Sequence, residues 1–196
     1  MKKLSPSFLL LLVAAACGKS GSSSAPPAAK IDAAAVNALV PAELKDKLVF
    51  EQRDIVEERG KRSKATFTMA APKDWEQEGK MFASVRPKSE ANLGFMTELQ
   101  VGSNCDGTCE AKDWAKTSEK VNFAQFRDGK IIKDELGKNS HLMIAEKGDS
   151  TYVVYAWWQD GGRKYFDCTA SLEQAARPAA EAFAKACQAV AIKGDD

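Results

Sequence analysis

The chain has 196 residues, with 28 basic and 27 acidic side chains, one histidine and a formal net charge of +1. Charge this evenly balanced excludes a global pull toward nucleic acid, an anionic membrane surface or acidic substrates. With 44% hydrophobic and 28% charged residues the composition is that of a globular protein. The length suits one domain with appendages, and a folded part of this size buries about two-thirds of its unfolded surface without needing a metal.

Residues 1–16, MKKLSPSFLLLLVAAA, open with Lys2 and Lys3, run through an apolar block from Phe8 to Val13 and close on small residues. A basic start, a short hydrophobic centre and a small-residue cleavage zone make a secretory signal peptide. The block is well short of the ~18 residues of a transmembrane helix. VAAAC, residues 13–17, resembles the lipobox of bacterial lipoproteins. The resemblance implies that Cys17 is lipidated and becomes the first mature residue. Gly18, where aspartate would mark retention, implies the outer membrane. Ala14 stands where the family most often has leucine, and the competing reading is an ordinary signal peptide cut near Ala16. Residues 17–30 comprise the anchor Cys17 and GKSGSSSAPPAAK (18–30), a stretch too poor in apolar residues to order that reads as a flexible tether. As a coil it reaches roughly 20 Å.

From Ile31 to about Lys47 the chain is alanine-rich and broken by Pro41. IDAAAVNAL and PAELKDKL each read as a short helix, the second with proline at its first position, where a missing N–H costs nothing. LVFEQRDIVEE and SKATFTMAA flank the turn-like RGKR and predict a hairpin around Gly60. Ala65, Phe67 and Met69 alternate with polar residues, as on a half-buried strand. APKDW breaks the pattern at Pro72, and KMFASVRP is a further strand ended by Pro87. In LGFMTELQV, Leu93, Phe95, Thr97, Leu99 and Val101 share one face of a strand. CEAKDWAKTSEKV predicts a helix with Trp114, Ser118 and Val121 on one side, capped by Asp106 or Thr108.

After a turn at Asp128-Gly129, the segments KIIKDEL, HLMIAEK, TYVVYAWWQ and KYFDCTASL predict four strands. Gly137, Gly148-Asp149 and Asp160-Gly161-Gly162 separate them, the last a hairpin signal between aromatic-rich strands. In TYVVYAWWQ, Val153, Tyr155 and Trp157 face one way, and Tyr152, Val154, Ala156 and Trp158 the other. A strand apolar on both faces is central and covered on both sides. PAAEAFAKACQAV, from Pro178, places Ala179, Phe183, Ala186, Cys187 and Val190 on one stripe of an amphipathic closing helix.

These elements predict a single α+β domain over residues 31–196, a mostly antiparallel sheet with helices packed on it. The order of elements, with the P-x-x-W motif from Pro72 to Trp75, resembles the Mog1/PsbP-like fold over roughly residues 45–192. The resemblance implies a three-layer α/β/α sandwich. Members act mostly as binding or assembly factors and share no catalytic residues, so it implies a non-enzymatic role and carries over no site.

Beyond Cys17 the cysteines are Cys105, Cys109, Cys168 and Cys187. An even number in an exported domain predicts two disulfides. Of three connectivities we favour Cys105–Cys109 with Cys168–Cys187. The first closes a tight loop around Gly107; the second ties the last strand to the apolar stripe of the last helix. The competing reading of Cys105 and Cys109 is a thiol–disulfide redox pair, since a helix N-terminus lowers a thiol pKa. Their three-residue spacing departs from the two-residue spacing of that chemistry. A zinc site is disfavoured by the wide separation of the second pair and by an oxidising compartment. His141 stands alone, without a motif that would make it the base of a triad, and reads as a surface or strand-edge residue. Glu57-Glu58 and Asp195-Asp196 read as solvated charges. No P-loop, dinucleotide-binding or zinc-protease motif is present.

Trp157, Trp158 and Tyr165 crowd the ends of the last hairpin, where such side chains suit a partner surface. The sequence thus predicts a lipoprotein of the outer membrane, facing the periplasm and attached through a lipid anchor. It is expected to bind an envelope protein and to have no enzymatic activity, no cofactor and no nucleic-acid partner.

Overall fold

A computed structural model describes residues 31–59, 63–78, 83–104, 126, 128–158 and 165–193. Cys17 and the tether lie outside these residues, as do Cys105, Cys109, the helix expected around Trp114, and Asp195-Asp196.

Among the described residues, ten strands form two antiparallel sheets. β1 (Phe50–Arg59) and β2 (Ser63–Pro72) make the hairpin expected around Gly60, in register from Phe50 opposite Pro72 to Arg59 opposite Ser63. β10 (Ala191–Lys193) joins the free edge of β2, with Ile192 opposite Phe67. The larger sheet contains β3 (Glu76–Gln77), β4 (Ala83–Arg86), β5 (Glu98–Asn104), β6 (Lys130–Leu136), β7 (Ser140–Lys147), β8 (Ser150–Trp158) and β9 (Tyr165–Glu173). Their spatial order is β3-β4-β5-β9-β8-β7-β6. β6 to β9 follow one another as hairpins, as the alternation and the glycine turns predict.

Among the described residues the α-helices are α1 (Ala33–Asn37) and α2 (Ala180–Gln188). The fold is therefore mainly β, and the α+β expectation with helices layered on a sheet is corrected. The β1–β2 hairpin turns its own apolar face, Ile55, Phe67 and Met69, toward the larger sheet and so forms most of the opposing layer. A hairpin apolar on one face cannot stand alone and gains most by packing face to face. α2 occupies the remaining space, preceded by a 3-10 segment (Gln174–Ala179) that contains Pro178.

The core follows the two periods of the sequence. Ile55, Phe67 and Met69 meet Leu99, Val101, Leu142, Ile144, Val153 and Phe166 of the larger sheet. Phe67 and Phe166 touch edge to face, ring centroids 6.3 Å apart. On α2 the small residues Ala182, Ala184 and Ala186 are buried and let the helix approach closely, while Phe183 fills the gap between Phe50 and Trp75, at 5.1 and 5.5 Å. Arg53 donates to the carbonyls of Pro72 and Trp75 at 2.5 and 2.8 Å, which fixes the P-x-x-W turn over Phe183. Cys168 on β9 and Cys187 on α2 form the expected disulfide, Cα atoms 5.4 Å apart. β8 is covered on both faces. Val153, Tyr155 and Trp157 belong to the main core, whereas Tyr152, Val154, Ala156 and Trp158 pack in a second cluster with Phe126, Met143, Ala145 and Tyr165.

Three local expectations change. β5 begins only at Glu98, because Asn92 and Gly94 adopt φ of +50° and +103° and turn the chain, leaving Phe95 88% exposed instead of on the inner face. His141 is buried rather than on the surface, its Nε2 2.6 Å from Asp134 Oδ1 on the neighbouring strand. Glu57 is not a solvated turn residue: it shares the inner face of β1 with Ile55, is buried, and accepts hydrogen bonds from Ser103 N and Oγ at 3.4 and 3.1 Å.

Every strand pairing is antiparallel, so the strand ends define two ends of the sandwich. One holds the start of β1, the close of β2, β4 and β9, and the starts of β5 and β8, where Glu98 lies opposite Ser171 and Ser150 opposite Glu173. α1 sits here too, because the Asn37 side chain clasps Phe50 through both backbone groups, at 2.7 and 2.8 Å. We call this the entry end, since the described chain enters at Ile31 and Asp32, whose carboxylate caps α1. The opposite, hairpin end holds Arg59, Asn104, Trp158 and Tyr165, and the Glu57–Ser103 bonds align the two sheets in this sense.

Candidate functional site

Two surfaces stand out, one at each end. At the hairpin end, β8 delivers Trp157 and Trp158 on opposite faces, as a two-residue period requires. Trp157 lies in a row of stacked rings, 5.5 Å from Tyr155 and 5.5 Å from Phe166, and remains half-buried. Trp158, also half-buried, continues the β8 ladder with its N–H donating to Asn139 O at 2.8 Å. Tyr165 is buried in the second cluster and is withdrawn from the expected partner surface. The two indoles thus flank the strand end, each backed by other rings and each with part of its face open. Rigid, partly exposed aromatics of this kind cost little entropy to immobilise against a partner.

At the entry end the exposed group is Phe95, with Met96 beside it at 51% exposure. Their turn is braced from below. Thr97, fully buried, donates its hydroxyl to Leu93 O at 2.7 Å and accepts from Glu173 N at 3.0 Å. The Glu173 carboxylate accepts from Met96 N at 3.1 Å. A Cβ on Gly94 would stand 2.6 Å from Glu173 Cβ, so only glycine lets the turn close onto β9. Sequence alternation concealed this turn; the signal available in the sequence was the glycine inside an apparent strand. Beneath it lies a cavity of about 360 Å³ lined by Arg86, Pro87, Lys88, Asn92, Leu93 and Phe95. The least exposed charge on its wall is neutralised, since Arg86 donates from Nε and Nη2 to Glu98 Oε2 at 3.0 and 2.7 Å, with Glu78 at 3.4 Å. The Glu98 bond holds the guanidinium above its ordinary pKa, against a smaller desolvation effect.

The remaining sequence candidates divide simply. Cys168 and Cys187 are joined in the core and fully buried. Cys17, Cys105 and Cys109 lie outside the described residues. Among the described residues, no group of three histidine, cysteine or acidic side chains is placed to hold a metal, and no helix is long and apolar enough to cross a membrane. Three further exposed apolar side chains, Ile131, Ile132 and Leu136, lie on β6 at the sheet edge, where a register shift between Ile131 and Lys133 interrupts the ladder. A bulge and lysines on an edge strand work against pairing with another chain.

No protein-family model matches the chain, and no curated protein and no solved structure matches it.

Proposed function

We propose that this protein is an envelope lipoprotein of a two-membrane bacterium, held at the outer membrane through Cys17, whose folded domain is a non-enzymatic binding or assembly module. Export and anchoring rest on residues 1–30. The Cys168–Cys187 bridge accords with them, because such bonds persist in oxidising compartments. The observation that carries the binding role is the stacked row Tyr155–Trp157–Phe166 at the hairpin end, which holds Trp157 rigid while leaving it half-open beside Trp158. The partner is an envelope protein that offers apolar or cationic groups to these indoles.

The test is photo-crosslinking in intact cells from a photoreactive phenylalanine placed at position 158, with the same group at the exposed Glu51 as control. One discrete protein adduct from position 158, absent from the control and lost when Trp157→Ala is added, is the expected outcome. Equal adducts from both positions sink the binding role. A Cys17→Ser chain that stays with the membrane fraction as firmly as the parent sinks the anchoring.

A further inference from the structure

Of the seven large apolar side chains exposed among the described residues, four belong to the entry end: Leu39, Val49, Phe95 and Met96. They come from two separate segments that meet. A cavity of about 250 Å³ is lined by Asp46 and Lys47 from one segment and by Lys88, Glu90 and Ala91 from the other. A shallow apolar groove, formed by Ala34, Ala38, Val40 and Leu48 of the first segment, continues the surface past Val49. Exposed charges around it balance, Lys45, Lys47 and Lys88 against Glu43, Asp46 and Glu90. What attracts a partner to this end is therefore apolar area, not charge.

We propose that the entry end is a lipid-docking surface: Phe95 and Met96 enter the interfacial layer of the bilayer that holds the anchor, and Leu39 and Val49 rest beside them. This rests on the anchoring reading above. Only 13 residues, 18 to 30, separate Cys17 from Ile31, and a random coil of that length spans roughly 20 Å. The bilayer is thereby kept at high effective concentration next to whatever surface surrounds Ile31, so a contact too weak to recruit a free protein is populated in a tethered one. The groove beside α1, where the described chain enters, runs to Val49, and the cavity between residues 46–47 and 88–91 joins that segment to the one that continues into the Phe95–Met96 turn. An aromatic and a thioether side chain on a turn braced by Thr97, Gly94 and Glu173 enter the interface with little loss of conformational freedom. Phenylalanine and other large apolar side chains are what interfacial segments bury at the headgroup–acyl boundary.

The experiment uses the acylated full chain, reconstituted in vesicles of phosphatidylethanolamine and phosphatidylglycerol. Amide exchange is compared between the parent and a Phe95→Asp, Met96→Asp variant. Both carry the same anchor, so only the docking contact differs. The expected result is a several-fold faster exchange at residues 45–49 in the variant, with segments of the hairpin end unchanged. Val49→Asp, on the other segment, is expected to speed exchange at residues 93–97 in the same way. Protection is expected to survive high salt and replacement of phosphatidylglycerol by phosphatidylcholine. Identical exchange in parent and variants overturns the docking surface, as does protection that salt abolishes. Mass spectrometry of the same samples separates the two claims. An acyl group on Cys17 without protection removes only the docking, whereas an unacylated Cys17 removes the anchoring reading and the docking with it.

Discussion

Replacing both half-cystines of the buried bridge, Cys168→Ala with Cys187→Ala, tests the core and the export reading together. The bridge joins residues 19 apart in sequence, and closing a loop of that size in the unfolded chain is worth about 3 kcal/mol at 25 °C. Both residues are fully buried between β9 and α2, so the missing sulfur atoms add a packing loss of about 1 kcal/mol. In a domain of this size each kcal/mol lowers the melting midpoint by roughly 2–4 °C, which gives a fall of roughly 8–16 °C. Thermal melts followed by far-UV circular dichroism measure it, with urea titration for the free energy. Cys105 and Cys109 remain in the variant, so the difference belongs to this bridge. Burial also keeps an attacking thiolate away from the sulfurs. Native parent protein incubated in a mild thiol reductant, then freed of it, should therefore melt like the oxidised form, whereas the same incubation in urea should give the lower midpoint. A midpoint fall below about 3 °C, set against the same scaling, would refute the reasoning. So would a native parent whose midpoint has already fallen after the incubation without urea.

Three further outcomes follow from the core, the turn and the surface. Phe183→Ala removes the ring wedged between Phe50 and Trp75 and is expected to cost about 3–5 kcal/mol, read as a lower urea midpoint at unchanged slope; a cost under about 1 kcal/mol would show that the site collapses freely. Gly94→Ala meets both a positive φ and a Cβ 2.6 Å from Glu173, so it should destabilise more than Gly148→Ala, where φ is +59° and no atom lies within 4 Å. About 1–2 kcal/mol is expected for the Gly148 change from backbone strain alone, and thermal melts of the two variants rank them. The hydrogen bond from Lys147 holds Asp128 below its ordinary 3.8. Its contribution to stability is present above that value and is lost as pH falls through the lower folded value, so Asp128→Asn should lower stability slightly at neutral pH, match the parent in acid below both values, and thereby flatten the acid limb of a stability–pH profile.

The legible parts of this fold are the ones encoded locally. The strands from Lys130 to Glu173 could be read because apolar alternation and glycine turns agree at each hairpin. The Cys168–Cys187 pairing could be read because Phe183 and Cys187 share a helical stripe that has to face the sheet. The two-sheet architecture was not legible. Whether a hairpin adds to a sheet's edge or stacks on its face depends on contacts such as Phe67 with Phe166, nearly 100 residues away in sequence, and no local period encodes that choice. β10 was hidden for the same reason, since three residues, Ala191–Lys193, carry no period at all. Glu57 is a different case. It follows Ile55 by two residues and so belongs to the inner face, but a carboxylate there contradicts the polarity rule, and only the Ser103 donors resolve the conflict. At Phe95 the alternation itself misled, because it ran unbroken across a turn that depends on the left-handed backbone of Asn92 and Gly94.

The two ends impose a geometry on the proposed role. β8 runs between them for nine residues, Ser150–Trp158, roughly 25–30 Å at about 3.3 Å per residue. A domain resting on lipid through Phe95 and Met96 would therefore hold Trp157 and Trp158 about a strand length from the membrane surface, beyond the interfacial layer. A partner engaging those indoles would have to reach the same height, which favours an envelope protein with a periplasmic portion over one confined to the bilayer. The arrangement also couples the two contacts. On the anchoring reading, docking would remove rotational freedom that an anchor alone leaves to the domain, and the hairpin end would then meet its partner with that entropy already lost. Weakening the lipid contact by Phe95→Asp should accordingly lower crosslinking from position 158, although that position is far from the change, and should leave the midpoint of the melt where it was.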